Sequence, residues 1–274
     1  MDFSVLMSVY GNDNADDFRL ALESVTLTQS LKPKQVVIVQ DGAVPAAIDK
    51  IIETVKGKTE ETEITVLKKE VNQGLAAALN SGLALCKYDW VARMDSDDIS
   101  VEDRFEKQVA FIENHGDIAV LGGAIAEFEN EIADMQSERH VGLTHEEITQ
   151  MARTRTPMNH VSVMYLKSAV LEVGGYSEDF GKLEDYKLWV DLIAAGKRFA
   201  NIDDVVVNVR VGKGFIERRS NKREIQDWDM LQTYLLKGNF ITKKKALVNK
   251  LYIRGFIYMP TWMKKIAYKT VLRR

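Results

Sequence analysis

Three carboxylates crowd the four-residue segment Asp95-Ser96-Asp97-Asp98, which follows the apolar run Trp90–Met94. Like charges this close repel one another, so a loop with a purely structural role has little reason to collect them. A divalent cation would relieve the repulsion, because carboxylate oxygens are the ligands that Mg²⁺ and Mn²⁺ prefer. A solvated turn that caps the next helix accounts for the same residues, so both interpretations stay open on this segment alone.

Extended backbone continuing from that run would point the side chains of Asp95 and Asp97 to the same side. Their Cα atoms would then lie roughly 7 Å apart. One carboxylate would be free to contact a metal ion, while the other contacts a neighbouring hydroxyl or a bound water.

Predicted strands and helices alternate along the first half of the chain. Apolar and β-branched runs predict strands at 3–10, 35–40, 63–67, 90–94 and 118–126. The segments between them predict helices from 16 or 17 to 29 (capped by Asp16 or Asp17) and at 46–55, 75–86 and 102–114. This alternation predicts an α/β fold built on a mostly parallel, Rossmann-like central sheet flanked by helices.

Polar side chains stand at the ends of the predicted strands. Tyr10, Asp41, Asn72 and Asp95 each lie at or just after such an end. Ligands of parallel sheets bind beyond the carboxyl ends of the strands, so we expect these four side chains to converge on a binding site.

The pattern is looser after residue 127. It predicts strands at 161–166 and 205–211. Between them, Glu184 and Asp185 open a predicted helix with one apolar face, which Gly196 ends.

Composition excludes several classes of site and location. The single cysteine, Cys86, rules out a disulfide within the chain and a thiolate zinc site, and it fits a reducing compartment. No basic residue precedes the first apolar run, which therefore predicts a strand and not a signal peptide. No apolar stretch approaches the roughly 20 residues needed to span a bilayer. We therefore expect a cytoplasmic protein, either soluble or peripheral on the inner face of the membrane.

The charge is unevenly distributed along the chain. From Lys237 to Arg274 there are eleven basic and no acidic residues, whereas the rest carries 26 basic and 40 acidic residues. Apolar and aromatic residues interleave with these cations, which predicts two basic amphipathic helices, broken at Pro260, on an anionic membrane surface. Packing of the segment on the acidic body is the alternative. Because no nucleic-acid motif accompanies the cations, we expect no nucleic-acid partner.

Six short motifs, each weak alone, follow one another along the chain. They are Ser8-Val9-Tyr10, Val39-Gln40-Asp41-Gly42, 72–80 (NQGLAAALN), 93–98 (RMDSDD), Asn159-His160, and Glu184-Asp185 before Trp189. In this order and spacing they resemble the inverting family 2 glycosyltransferases, which have the GT-A fold. The resemblance covers residues 1–212. It implies a catalytic domain at 1–220, with a nucleotide half at 1–126 and an acceptor half at 127–220, before a basic helical segment at 221–274.

The resemblance implies transfer of a hexose or N-acetylhexosamine from a nucleotide sugar, expected to be UDP-linked. The acceptor would be a saccharide or lipid-linked saccharide in the synthesis of a capsule, exopolysaccharide or O-antigen. The residues implied to hold the nucleotide sugar are Val9, Tyr10, Asp41, Asn72, Gly74, Arg93, Asp95, Arg210 and Lys213. A core position for Tyr10 and a turn for Asp41 are the structural alternatives.

In this family the acidic motif binds the diphosphate through Mn²⁺ or Mg²⁺. Asp97 is the implied direct metal ligand, Asp95 would face the ribose or the metal's water, and Asp98 is the alternative ligand. The cation would stabilise the negative charge of the departing nucleoside diphosphate.

Asp185 is the implied general base, because it matches the second residue of the family's Glu-Asp pair. Inversion needs a carboxylate that takes the proton from the attacking hydroxyl, and a helix N-terminus favours the ionised form. Glu184 is the alternative base, and simple helix capping is the structural alternative for Asp185. The resemblance also implies that Asn159, His160 and Trp189 contact the acceptor or the donor sugar.

The chain departs from the family pattern after its last core strand. Many relatives carry a metal-binding histidine there, but this chain reads NVRVGK over 208–213. Either water completes the metal shell, or Arg210 and Lys213 neutralise the diphosphate directly, with 212–220 as a lid.

Two other functions compete with glycosyl transfer. A sugar-phosphate nucleotidyltransferase needs a glycine-rich phosphate loop after the first strand, which GNDN at 11–14 does not supply. A non-catalytic nucleotide-sugar-binding scaffold would be expected to lack Asp97 or Asp185, and both are present.

Overall fold

The computed structural model describes residues 1–134, 137–212, 223–260 and 262–264. Its nine strands are β1 (Phe3–Tyr10), β2 (Gln35–Asp41), β3 (Glu63–Lys68), β4 (Trp90–Met94), β5 (Ile99–Ser100), β6 (Ile118–Phe128), β7 (Ser137–Arg139), β8 (Met164–Leu166) and β9 (Arg198–Arg210). Its nine α-helices are α1 (Ala15–Thr26), α2 (Ala46–Lys56), α3 (Leu75–Leu85), α4 (Arg104–Asn114), α5 (His145–Met151), α6 (Lys167–Glu172), α7 (Glu184–Ala194), α8 (Arg223–Lys237) and α9 (Lys243–Tyr258). Both counts apply to the described residues only.

One sheet joins all of these strands in the order β3-β2-β1-β4-β8-β6-β9-β5, with β7 added beside β6. The pairs β3–β2, β2–β1 and β1–β4 are parallel, which confirms the α/β alternation predicted for the first half of the chain. Strand β8 then runs antiparallel to both β4 and β6, while β6 and β9 are parallel. The second half of the sheet is therefore mixed.

Apolar side chains on both faces of β1 and β2 bury the sheet between two layers of helices. Val36 and Ile38 lie in one core cluster with α1 and α2, whereas Val37 and Val39 face α3 on the other side. Helix α3 approaches the sheet closely at Gly82, where an added Cβ would lie 2.4 Å from Leu6 Cδ1. A side chain at this position would push α3, and the loop before it, away from the strand ends.

Three local predictions need correction. Helix α1 is capped by Asn14, whose Oδ1 accepts from the amides of Asp16 and Asp17, so neither aspartate is the cap. Of the strand predicted at 161–166, only β8 forms, because 160–162 folds as a 3₁₀ turn. The strand predicted at 205–211 is the second half of the longer β9, which pairs along nearly all of β6.

Helices α8 and α9 pack beside α7 and the segment 178–183 around a small apolar core. That core contains Ala152, Phe180, Tyr186, Val190, Leu231, Leu235, Ile241 and Ala246. Asp229 of α8 also pairs with Arg254 at 2.5 Å and with Lys250 at 3.8 Å, so part of the basic segment does pack on the body. Helix α9 ends just before Pro260, as predicted. Within the described residues, no helix combines the length and apolar character that crossing a bilayer requires.

Candidate active site

The carboxyl ends of β1 and β2 meet the loop before α3. Tyr10 and Asp41 are direct neighbours in the register of the two strands. The Asp41 carboxylate accepts one hydrogen bond from the Gln73 amide (2.9 Å) and one from the Gly74 amide (2.8 Å). Three of the four predicted strand-end positions therefore share one edge of the sheet.

Asp41 shapes this edge from a buried position. Its two oxygens fix the loop that carries Asn72, and Gly42 supplies the close approach with a φ of +86°. A Cβ at Gly42 would lie 2.8 Å from the Asn72 amide nitrogen, too close for any other residue. Contact of Asp41 with a base or ribose stays a prediction. Tyr10 is 42% exposed, so its core alternative is wrong.

Asp13 links this edge to the acidic segment, and it was not singled out in the sequence. Its Oδ2 accepts from the Tyr10 amide (3.0 Å) and from Ser96 Oγ (2.8 Å). Burial raises the pKa of Asp13, although these hydrogen bonds oppose the shift. The sequence signal that could have identified Asp13 is its position just after β1. Polar residues at the carboxyl ends of parallel strands gather at the edge of the sheet where ligands bind.

The three carboxylates of the acidic segment face different surroundings. Asp95 is partly exposed and pairs with the buried guanidinium of Arg93. Asp97 is exposed. Asp98 is buried, and its Oδ1 accepts from the Arg210 amide at 2.8 Å. Burial also raises the pKa of Asp98 well above its usual range. Asp98 thus anchors the end of β9, and its alternative role as a metal ligand stays a prediction.

Asp97 is the carboxylate of this segment best placed to receive a cation. Its pKa is raised to about 6, first because the surrounding protein limits its hydration and then because Asp95 and Asp13 are negative neighbours. No three His, Cys, Asp or Glu side chains among the described residues group to hold a metal ion. One carboxylate completed by substrate phosphates and water does, however, fit the way proteins bind Mg²⁺. The residues therefore fit a cation that arrives with a diphosphate.

Arg210 occupies the end of β9, where many relatives of the resembled family carry histidine. Its Nε donates to the Asp97 carbonyl (3.2 Å), and its Nη2 pairs with Asp17 (3.0 Å). The guanidinium also lies over the Phe128 ring, 4.6 Å from the centroid. These contacts hold a positive charge beside the acidic segment. Lys213 and almost all of the predicted lid lie outside the described residues.

Glu184 and Asp185 stand in the first turn of α7. Glu184 is buried, and its Oε2 has no hydrogen-bond partner within the described part of the chain. Burial, followed by the charge of Asp185, raises the pKa of Glu184 to about 8. Asp185 is oriented by hydrogen bonds from Thr156 Oγ1 (3.2 Å) and the Tyr186 amide (2.7 Å). The raised pKa favours the protonated form of Glu184.

The predicted sugar contacts are only partly accessible. His160 Nε2 lies 2.9 Å from the Tyr176 hydroxyl, and burial and Arg93 lower its pKa well below the usual range, so it is neutral. Trp189 is fully buried, with its ring centroid 5.8 Å from that of His160, and its contact with a sugar stays a prediction. Asn159 is buried and donates to the Gly123 carbonyl at 2.9 Å, so its amide nitrogen braces β6.

Arg93 joins the acidic segment to the Glu184-Asp185 pair. It is 3% exposed, and its Nε and Nη1 have no hydrogen-bond partner among the described residues. Its charge acts on Asp95, Asp97 and Glu184. Arg104 of α4, fully buried, donates from Nη2 to the Arg93 carbonyl at 2.9 Å. Nothing in the sequence of an amphipathic helix distinguishes this buried arginine from an exposed one.

This chain is similar to known glycosyltransferases in sequence and in fold. A protein-family model described as glycosyl transferase family 2 matches residues 4–176. An uncharacterised glycosyltransferase of Haemophilus influenzae is 39% identical, with both chains covered completely. The amylovoran biosynthesis glycosyltransferase AmsE of Erwinia amylovora is 34% identical over 93% of this chain and 90% of its own. The UDP-Gal:alpha-D-GlcNAc-diphosphoundecaprenol beta-1,3-galactosyltransferase of Escherichia coli is 32% identical over 99% and 97%.

Solved structures share the fold at low sequence identity. TarS 1-349 of S. aureus in complex with UDP-GlcNAc has a TM-score of 0.68 and 16% identity, covering 99% of this chain and 76% of that chain. The mannosyltransferase PcManGT of Pyrobaculum calidifontis, in complex with GDP-Man and Mn²⁺, has a TM-score of 0.63 and 15% identity, covering 94% and 71%. The fold is that of the GT-A glycosyltransferases. The chain belongs to glycosyl transferase family 2.

Proposed function

We propose that this glycosyltransferase moves a hexose or N-acetylhexosamine from a UDP-linked donor to a saccharide or lipid-linked acceptor, with inversion at the anomeric carbon. One observation carries the proposal. The buried guanidinium of Arg93 pairs with Asp95 of the carboxylate-rich segment at the ligand edge of the sheet, and its charge also acts on Glu184 of the second carboxylate pair, at the N-terminus of α7. The carboxylate-rich segment suits binding of a diphosphate with its cation. The Glu184-Asp185 pair suits removal of a proton from an acceptor hydroxyl.

The donor would lie along the carboxyl ends of β1, β2 and β4. Exposed Tyr10 offers a face for the base, and the loop held by Asp41 brings the Asn72 and Gly74 backbone to the same edge. Val9 is fully buried beneath Tyr10, so we assign it support of the site and not direct contact. Arg210 lies beside the acidic segment, where its charge would oppose that of the diphosphate.

Asp97 is the residue that would hold a divalent cation, together with diphosphate oxygens and water. When bound, the cation stabilises the negative charge that collects on the departing diphosphate. The Mn²⁺ of the PcManGT complex supports this assignment through the shared fold alone. We assign Asp95, which pairs with Arg93, to contact with a hydroxyl group of the sugar donor or with a water bound to the metal.

Asp185 would act as the general base. Its carboxylate removes the proton of an acceptor hydroxyl as that oxygen bonds to the anomeric carbon, while the bond to the diphosphate oxygen breaks on the opposite face. The pKa of about 8 at Glu184 favours this assignment, because a protonated Glu184 cannot accept the proton at neutral pH. Protonated Glu184 can instead donate a hydrogen bond to a sugar hydroxyl.

A lipid-linked acceptor is supported by the relative from Escherichia coli, whose name specifies a diphosphoundecaprenol acceptor. The AmsE relative is named for the biosynthesis of amylovoran. We therefore propose a step in surface polysaccharide synthesis, carried out at the cytoplasmic face of the membrane. The basic C-terminal segment would bring the enzyme to that surface.

The test supplies the purified protein with UDP-galactose, UDP-glucose, UDP-GlcNAc or UDP-GalNAc. The acceptor is a GlcNAc-diphospho-lipid analogue, with Mn²⁺ present. We expect one donor to release UDP and form a β-linked disaccharide, detected by NMR of the anomeric proton. An α-linked product, or release of no UDP with any donor and acceptor while the nucleotide binds, would contradict the proposal.

A further inference from the structure

Helix α9 is fixed to the molecule by one face only. That inner face buries Ala246, Asn249 and Ile257. Asn249 donates to the Arg153 carbonyl at 2.9 Å and to Gln232 Oε1 at 2.8 Å, which ties the helix to α8 and to the end of α5. The opposite face is therefore free of any packing role within the described molecule.

This outward face is apolar instead of polar. Leu247, Leu251 and Tyr258 fall on one stripe of the helix and are 59%, 61% and 66% exposed. Val248 and Tyr252 widen the stripe at 49% and 59% exposure. Trp262, just past the helix end, is also exposed (65%). A surface helix normally turns its polar face to water, so a contiguous apolar stripe of this kind marks an interaction surface.

Three lysines stand at the beginning of the stripe. Lys243, Lys244 and Lys245 occupy the first turn of α9, where the helix dipole disfavours positive charge. None of them forms an ion pair with another described residue, whereas Lys250 and Arg254 are paired with Asp229. The three cations therefore oppose helix stability, and an anionic partner would account for their presence.

We propose that the outward face of α9, with the three lysines at its start, docks on an anionic lipid bilayer. The lysines match the negative surface of such a bilayer, while leucines and aromatic rings enter its interface. A second copy of the chain fits less well. Helix α9 carries no acidic residue, so the same face of a second copy offers no partner for the three lysines. This docking surface lies apart from the transfer chemistry and rests on the proposed function, because it names the part of the C-terminal segment that would meet the membrane.

The docked face orients the acceptor half toward the lipid. Helix α8 lies between α9 and the segment 178–183, which leads directly into Glu184. The segment 178–183 and helix α8 lie close together at Gly181, where an added Cβ would lie 2.6 Å from Asp227 Oδ2 of α8. Docking through α9 would therefore place the Glu184-Asp185 pair on the membrane-proximal half of the enzyme.

The test compares co-sedimentation of the full chain with phosphatidylcholine vesicles and with vesicles that also contain phosphatidylglycerol. We expect binding to the anionic vesicles only. Replacing all three lysines (K243Q, K244Q, K245Q) should weaken it on the order of 100-fold, at roughly fivefold for each cation near the surface. The double variant L247Q and L251Q should weaken it at least about tenfold. Two variants at exposed positions are the matched controls. They are the triple variant K50Q, K56Q and K58Q, and the variant L171Q on α6, and both should bind like the wild type.

Several outcomes would overturn the proposal. They are absence of binding by the wild type, equal binding to neutral and anionic vesicles, and loss of binding in the control variants to the same degree. A wild-type dimer that L247Q and L251Q convert to monomer would assign the stripe to a second copy instead. Circular dichroism and a melting curve verify that each variant remains folded.

Discussion

Two adjacent acids in the first turn of α7 show how environment separates the roles of similar side chains. Glu184 is buried without a partner for Oε2 among the described residues, whereas Asp185 accepts hydrogen bonds from Thr156 and the Tyr186 amide. Burial raises the pKa of Glu184 and so favours its protonated form, which can donate a hydrogen bond but cannot accept a proton. Their order could be predicted from the family motif, but their protonation depends on burial that no motif reveals.

Glu184 should make stability depend on pH. Its carboxyl is protonated in the folded protein up to a pKa of about 8, whereas the unfolded chain loses this proton near the ordinary value of 4.5. The stabilising contribution is therefore complete below pH 4.5 and is lost as the pH rises to about 8. E184Q cannot ionise, so its free energy of unfolding relative to wild type should rise between pH 5 and pH 8, by on the order of 3 kcal/mol.

Urea denaturation at several pH values measures this difference, with E178Q at an exposed position as the matched control. The control should follow the wild type at every pH. A difference between E184Q and wild type that stays constant with pH would mean that Glu184 is already ionised in the folded protein.

At the scale of elements, the periodicity of apolar residues was sufficient to predict the strands and helices of residues 1–126. It was insufficient for the elements that follow. Strands β1, β2 and β4 are short apolar runs buried on both faces, and their ends gather the motifs as parallel topology requires. The first half of β9 was missed because pairing with β6 stabilises it, and that contact is distant in sequence. For the same reason, the sequence did not predict hydrogen bonds between distant loops, such as the one that Ser96 donates to Asp13.

Close packing of α3 on the sheet should make Gly82 sensitive to a single methyl group. In G82A the new Cβ would meet Leu6 Cδ1 at 2.4 Å and Val39 Cγ2 at 2.7 Å. Alanine's higher helix propensity offers up to about 1 kcal/mol, but overpacking costs about 1–3 kcal/mol, so we expect net destabilisation. Chemical denaturation measures it. The control is G57A, whose Cβ would find ordinary contacts at 3.6 Å; equal or greater stability of G82A would refute the close packing.

Across the whole molecule, the two carboxylates with proposed chemical roles come from separate parts of the chain. Asp97 follows β4, whereas Asp185 stands in the first turn of α7. The charge of Arg93 acts on Asp97 and on Glu184, the neighbour of Asp185. The net charge of −3 conceals an acidic catalytic body and a basic tail, a division already evident in the sequence. What the sequence left open was the arrangement of the tail, since α9 both packs on α8 and exposes an apolar face.

Nucleotide binding should stabilise the molecule only when a divalent cation is present. We expect UDP with Mn²⁺, at about 100 times its dissociation constant, to stabilise the fold by about 2.7 kcal/mol and raise Tm by roughly 5–10 °C. GDP, CMP and dTDP serve as comparisons, each with and without Mn²⁺. D97N should abolish the metal-dependent part, while the exposed control D16N should keep it. An equal shift for D97N and wild type would contradict the assignment of Asp97.

Single-turnover transfer by the D185N variant tests whether Asp185 removes the proton from the acceptor hydroxyl. With donor affinity measured separately, we predict a transfer rate lower by roughly 10²–10⁴-fold and a nearly unchanged affinity for the UDP sugar. Transfer by D185N at close to the wild-type rate, together with loss of transfer in E184Q, would contradict the account and assign the base to Glu184.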